Sequence, residues 1–251
     1  MTVSHRAQHE IEHGRRLAAS GAEHIWGWGT PAGQIRARRR ADLIASGARL
    51  GPGTRALEIG CGTGIFTEYF ARTGAEIVAL DISEELLEIA RNRSLPKTVT
   101  FVCAPFEALG SEQPFDAVIG SSVLHHLEIE PALVEIHRLL KPGGVMGFAE
   151  PNMLNPQIMI QKNVPWIKAR MGDSPDETAF FRWQLARLMR DAGFVDVRTV
   201  PLDWLHPATP PRLIPTVQTL GYYLEKTPIL REIAGSLYIF GRKPIRSPHA
   251  H

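Results

Sequence analysis

The stretch Arg55-Ala56-Leu57-Glu58-Ile59-Gly60-Cys61-Gly62-Thr63-Gly64 decides the fold. Residues 55–60 form a short apolar run of strand type, and residues 64–73 carry a helical pattern closed by Gly74. Between them lie glycines 60, 62 and 64. Such a strand–loop–helix unit bends sharply, lets a ligand approach the backbone without a Cβ in the way, and offers the free N–H groups of a helix N-terminus. The dinucleotide spacing GxGxxG is absent: counted from Gly60 its third glycine would be Ile65, and counted from Gly62 it would be Thr67. No Lys-Ser or Lys-Thr follows, so this is not a P-loop either.

Working outward, strands and helices alternate. Strands are expected at 76–81, 98–103, 115–121, 145–150, 194–200 and 236–242, which with the first makes seven. Helices are expected at about 4–20, 34–49, 64–73, from the N-cap Ser83 to Arg93, from Pro131 to Leu140, and at 179–192. This alternation implies right-handed βαβ units, hence an α/β fold with a doubly wound, mainly parallel sheet. Ligands in such sheets lie beyond the carboxyl ends of the strands. Asp81 closes the second strand about 20 residues after the glycine loop, where an acid accepts hydrogen bonds from a ribose diol. As a plain structural residue it would instead stabilise the helix that follows.

A net charge of +2 does not suit a nucleic-acid surface, and Arg36, Arg38, Arg39 and Arg40 read as the solvated face of one helix, with one arginine available to an anionic substrate group. Cys61 and Cys103 form no CxxC pair, so neither a disulfide framework nor a zinc site is expected. His5, His9 and His13 share a helix face, but no carboxylate or cysteine completes a metal motif, and an exposed face without a metal is expected. The polar N-terminus lacks the apolar centre of a signal peptide, and no apolar run reaches the length of a membrane span. A cytoplasmic location is expected, with peripheral membrane attachment as a variant.

The segments EIGCGTG (58–64), ALDIS (79–83), FDAVIGSSVLHHL (115–127) and LKPGG (140–144) occur in that order within residues 53–150. Together they resemble the class I S-adenosylmethionine-dependent methyltransferases, in the small-molecule branch that includes ubiquinone-type methyltransferases. The resemblance implies a seven-stranded sheet whose last strand is antiparallel, with S-adenosylmethionine as cofactor and S-adenosylhomocysteine as product. It implies that Glu58 and the loop Gly60, Cys61, Gly62 and Gly64 hold the methionine end, Asp81 the ribose, and Ile82 the adenine. Ser121 and Val123 would line the methionine and sulfonium region. Where relatives carry an acid after the third strand, this chain has Ala104, so adenine is expected against Ala104, Pro105 and Phe106, with Glu107 a weaker substitute.

His125, His126 and Glu150 follow the fourth and fifth strands and are the candidates for proton removal; His125, nearer the strand end, is the better placed histidine. Their alternative roles are packing and a solvated strand terminus. Residues 1–50 are expected to form an N-terminal helical cover. Residues 51–251 are expected to form the methyltransferase domain, with cover insertions at about 151–178 and 203–235. These segments are rich in apolar and aromatic residues. Trp26, Trp28, Asn152, Trp204 and Tyr222 are accordingly candidates for an apolar or aromatic acceptor pocket. The expected activity is methyl transfer to a small molecule, O-methylation ahead of C- or N-methylation, with a lipid-like acceptor as a variant. The alternatives are a nucleic-acid or protein methyltransferase, disfavoured by Gly120-Ser121-Ser122-Val123 in place of an amino-methylation motif, and a cofactor-binding protein without transferase activity. Oligomeric state has no signature in the sequence.

Overall fold

The computed structural model describes residues 5–110, 113–170, 174 and 177–245. Parts of the expected cover, domain and first insertion (1–4, 111–112, 171–173, 175–176 and 246–251) lie outside the described residues. In chain order the elements are helices α1 (His5–Ser20), α2 (Ala22–Ile25) and α3 (Pro31–Gly47), strand β1 (Arg55–Ile59), helix α4 (Ile65–Ala71), β2 (Glu76–Asp81), α5 (Glu84–Arg91), β3 (Val99–Cys103) and β4 (Phe115–Ser121). Then follow α6 (Ile129–Leu139), β5 (Leu140–Pro151), α7 (Pro156–Asn163), α8 (Pro165–Arg170), α9 (Arg182–Asp191), β6 (Val195–Leu202), α10 (Ile214–Lys226) and β7 (Ser236–Arg242).

All seven strands form one sheet, ordered β3-β2-β1-β4-β5-β7-β6. The pairs β1–β2, β2–β3, β1–β4 and β4–β5 are parallel, and β7 runs antiparallel to both β5 and β6. This is the doubly wound sheet with an antiparallel last strand that the alternation and the resemblance imply. Strand order reverses between β1 and β4, which opens a crevice at their carboxyl ends.

The two faces of the sheet are built differently. Period-2 alternation sends Ala56, Ala79, Ala117 and Ala149 to one face, where small side chains let α3 come close through Ala37, Ala41 and Ile44. Leu57, Val118, Met146 and Phe148 point to the other face and meet Leu133 and Ile136 of α6 and Met189 of α9. Helix α3 is thus built into the core rather than laid over it, so a boundary at residue 50 cuts through one packing layer. It also starts earlier than expected, because the Thr30 hydroxyl accepts a hydrogen bond from Gly33 N and Pro31 takes the first helical position.

Two further boundaries differ. Lys141-Pro142-Gly143-Gly144 does not merely stop α6 but enters β5, with a register shift against β4 between Phe115 and Ala117. Helix α9 begins three residues later than expected because Phe180 forms a bridge with Asn152, a long-range pairing that no local pattern reveals.

Candidate active site

The glycine loop follows β1 and α4 leads away from it. Gly60 adopts φ +65°, and a Cβ there would stand 2.4 Å from Val123 Cγ2. Gly62 adopts φ +52°, faces the Trp26 ring, and donates its N–H to Asp81 Oδ2 at 2.7 Å. Asp81 Oδ1 accepts from Ser83 N at 2.9 Å. A carboxylate has about four acceptor positions, so this hinge between loop and β2 leaves lone pairs for a ligand diol. Asp81 lines the main cavity together with Gly60, Cys61, Gly62 and Ile82. Burial pushes the Cys61 thiol well up, ahead of the Asp81 and Glu58 charges, so it is an inert packing group.

Glu58 and Gly64 are placed differently from expectation. Neither lines the cavity. Gly64 is the left-handed cap of α4. Glu58 is fully buried at the base of the loop, and burial, followed by the Asp81 carboxylate, pushes it up to about 8. Among the described residues its Oε2 has no hydrogen-bond partner.

The second half of the site lies beyond β4 and β5. Ser122 takes φ +58°, and Leu124–His126 forms a 3-10 turn. The turn is clamped from beneath by Glu150, which is fully buried at the end of β5. Glu150 Oε1 accepts from Val123 N and Leu124 N, both at 2.9 Å, and Oε2 lies 2.7 Å from His125 Nδ1. Glu150 therefore does not line the cavity; it holds the ring that does. Burial, then the charge of His126, lowers the His125 pKa against the pull of Glu150.

His126 stands 2.9 Å from Glu10 Oε2 and 3.8 Å from Glu177 Oε1 through its Nδ1. Burial opposes its charge, yet these carboxylates raise its pKa above the ordinary value. Lys162 Nζ is 2.5 Å from Glu177 Oε2, and His13 Nε2 is 3.8 Å from Glu177 Oε1. Histidines 125 and 126, adjacent in sequence, are thus pushed apart in pKa, one toward the neutral base and one toward the cation. His125, His126 and Glu177 offer ligand atoms within 4.8 Å of one another, a spacing open to a metal ion, but the Lys162 ammonium already meets the Glu177 charge.

Sequence reasoning missed Glu10, Lys162 and Glu177, because only the folding of α1 and α7 over the β4 end brings these distant residues together. His13 departs from the exposed face expected of it: it is buried in this network. The expected solvated arginine face is likewise corrected. Arg40 is buried, bonded to Asp203 Oδ2 at 2.9 Å and to Ser236, and only Arg38 stands mostly exposed.

These parts share one cavity of about 1200 Å³, above the 300–1,000 Å³ usual for a single ligand. Ala104, Pro105, Phe106 and Glu107 line its end near β3; Ser121, Val123, His125 and His126 line its middle. Trp26, Trp28 and Trp204 lie on its wall, Trp28 edge-on to Phe66 and beneath the Arg36 and Arg40 guanidiniums. Two expected acceptor contacts are not there. Asn152 is fully buried, its amide donating to Glu232 O and Ala234 O, so it fastens β5 to the segment before β7. Tyr222 is exposed on α10 and packs against Lys226 and Tyr223.

Comparison with known proteins agrees with this geometry. The methyltransferase-domain family matches residues 57–148. In that segment the chain carries a methyltransferase domain. A ubiquinone biosynthesis O-methyltransferase of Xanthomonas campestris pv. campestris (strain B100) is 39% identical over 112 residues, 43% of this chain and 46% of that protein. The chain therefore spans about half the length of the curated relatives it matches. Two solved structures share the fold. The putative methyltransferase in complex with the Haloferax volcanii Trm112 activator superposes with TM-score 0.69 at 21% identity, over 92% of this chain and 97% of that one. The N-methyltransferase NodS from Bradyrhizobium japonicum WM9, in complex with S-adenosylhomocysteine, gives 0.63 at 16%, over 94% and 98%.

The residues of the site would fit S-adenosylmethionine on their own terms. The Gly60 cradle cannot take a side chain, Ser121 Oγ is buried with no partner among the described residues, and Asp81 retains lone pairs.

Proposed function

We propose that the protein methylates an oxygen of a small-molecule acceptor, with His125 as the general base. Gly60, Cys61, Gly62 and Ser121 would hold the methionine end, Asp81 the ribose, and Ile82, Ala104, Pro105 and Phe106 the adenine. S-adenosylmethionine, when bound, supplies a methyl group on a sulfonium. The chain's task is to align the acceptor, exclude water and receive a proton. The observation that carries the reading is the Glu150–His125 contact of 2.7 Å. With Nδ1–H held by a buried carboxylate, Nε2 is left as the acceptor nitrogen of a ring on the cavity wall, and the lowered pKa keeps it neutral near pH 7. His126, drawn toward its protonated form by Glu10 and Glu177, would favour the developing negative charge on the acceptor oxygen.

The described parts of the segments 1–50, 151–178 and 203–235 would enclose the acceptor. They supply Trp26, Trp28 and Trp204 to the wall, which supports an apolar or aromatic acceptor. A lipid-like acceptor is a second reading, favoured by exposed Met159, Ile160 and Trp166 on α7 and α8 and by Leu220, Tyr222 and Tyr223 on α10. Among the described residues no helix is long and apolar enough to cross a membrane. The test is transfer of labelled methyl into fractionated small molecules and lipids of the source cell, by wild type and His125→Gln. Label in an oxygen-methylated small molecule, lost in the variant, supports the proposal. Label in protein or nucleic acid, or cofactor binding with no transfer to any fraction, rejects it.

A further inference from the structure

The arginines of α3 leave one charge unanswered. Arg39 makes a two-point pair with Glu225, and Arg40 is bonded to Asp203, Ser122 and Ser236. Among the described residues Arg36 has only the shared Asp203, whose Oδ2 is 3.7 Å from its Nε, beyond hydrogen-bond length. Three guanidiniums thus face two carboxylates, Asp203 and Glu225, and the surplus positive charge falls on the residue that lines the cavity. The Arg36 side chain is only 13% exposed, and its Nε has no hydrogen-bond partner among the described residues. Trp204 Nε1, on the same cavity wall, is a second buried donor without a partner among the described residues. Leaving buried donors unmade costs about 1–3 kcal/mol each, more for charged ones, so the arrangement is incomplete without an acceptor of hydrogen bonds. Burial, then the like charge of Arg40, draws the Arg36 pKa down to about 10, which leaves it charged at neutral pH.

We propose that the methyl acceptor carries an anionic oxygen group, a carboxylate or phosphate, received by Arg36 beside Trp204. This rests on the methyltransferase reading above. Position separates this group from the cofactor. Asp203 follows β6 and Ser236 opens β7, on the opposite flank of the sheet from Asp81, which closes β2. His206, on the same wall, is kept from charging by burial and by Arg36, so it contributes an uncharged ring rather than a competing cation. Arg36 also lies over Trp28, a flat apolar surface suited to the body of an aromatic acceptor.

The experiment uses the full chain saturated with S-adenosylhomocysteine and titrated calorimetrically with benzoate, phenyl phosphate and the uncharged benzamide. Wild type is expected to prefer an anion to benzamide. Arg36→Gln should weaken that anion by roughly 10- to 100-fold, the value of a charged hydrogen bond. Arg38→Gln, on the exposed side of α3, should change nothing. Tighter phenyl phosphate would assign a phosphate, and tighter benzoate a carboxylate. Arg36→Gln should also match or exceed wild type in thermal stability without ligand, because it removes repulsion from Arg40. No anion preference in wild type, unchanged anion binding in Arg36→Gln, or a variant that only loses stability would each overturn the proposal. Weakened S-adenosylhomocysteine binding in Arg36→Gln would overturn it too, by giving the arginine to the cofactor. Absence of S-adenosylhomocysteine binding in wild type would instead sink the methyltransferase reading itself.

Discussion

Replacing Glu150 with Gln should slow methyl transfer by changing which nitrogen of His125 carries the proton. The carboxylate is fully buried, with Oε1 accepting from Val123 N and Leu124 N and Oε2 facing His125 Nδ1. In Glu150→Gln the amide oxygen keeps the two backbone donors, and the amide nitrogen then meets Nδ1. Two donors cannot face each other, so Nδ1 becomes the acceptor and the proton moves to Nε2. The cavity then meets an N–H where a base is required. A positioned general base contributes about 10²–10⁴-fold, or roughly 2.7–5.5 kcal/mol, and kcat should fall by that range. Cofactor binding should be unchanged, since the hydrogen bonds of Glu150 go to Val123 N, Leu124 N and His125 rather than to the residues proposed to hold the cofactor. The fold should survive, because the exchange of charged for neutral hydrogen bonds costs about 1–3 kcal/mol. Turnover with labelled cofactor gives the rate, and ¹⁵N spectra of the histidine ring give the tautomer. A reversed tautomer with undiminished kcat would refute the reasoning.

Three other outcomes follow from the same geometry. The rate should fall as pH drops through the lowered His125 pKa, because only the neutral ring accepts a proton, so the acid limb of kcat/KM should lie below the ordinary histidine value and vanish in His125→Gln. Glu58, raised from 4.5 to about 8, is protonated when folded and ionised when unfolded between those values; its contribution is complete below pH 4.5 and lost as pH rises through 8, on the order of 4–5 kcal/mol, so denaturation midpoints at pH 5 and 8.5 should differ more in wild type than in Glu58→Gln. Because Lys162 neutralises Glu177, chelation with EDTA should leave turnover unchanged; a loss restored by added Mn²⁺ would assign the His125–His126–Glu177 cluster to a metal instead.

The loop at 60–64, Asp81 and the strand alternation were legible because each depends on local physics: glycine's freedom at positive φ, a period of two in strands, a Ser83 cap. Even the two histidines stood out, by type and by their place after β4. The division of labour between them did not. It depends on Glu10, Lys162, Glu177 and the burial of Glu150, which are separated from the histidines by 24 residues or more along the chain and have no common period.

The sequence by itself determined the fold and marked the glycine loop and Asp81 as its ligand end, since both are carried by short motifs whose backbone geometry follows from the residues within them. Only the tertiary structure decided which charges are answered. Arginines that look like one solvated face become a buried pair with Asp203, a second pair with Glu225, and one cation left on the cavity wall. Charge compensation and burial are properties of space around a side chain, and residues from α1, α7 and the segment after β6 fill that space only once the chain has folded.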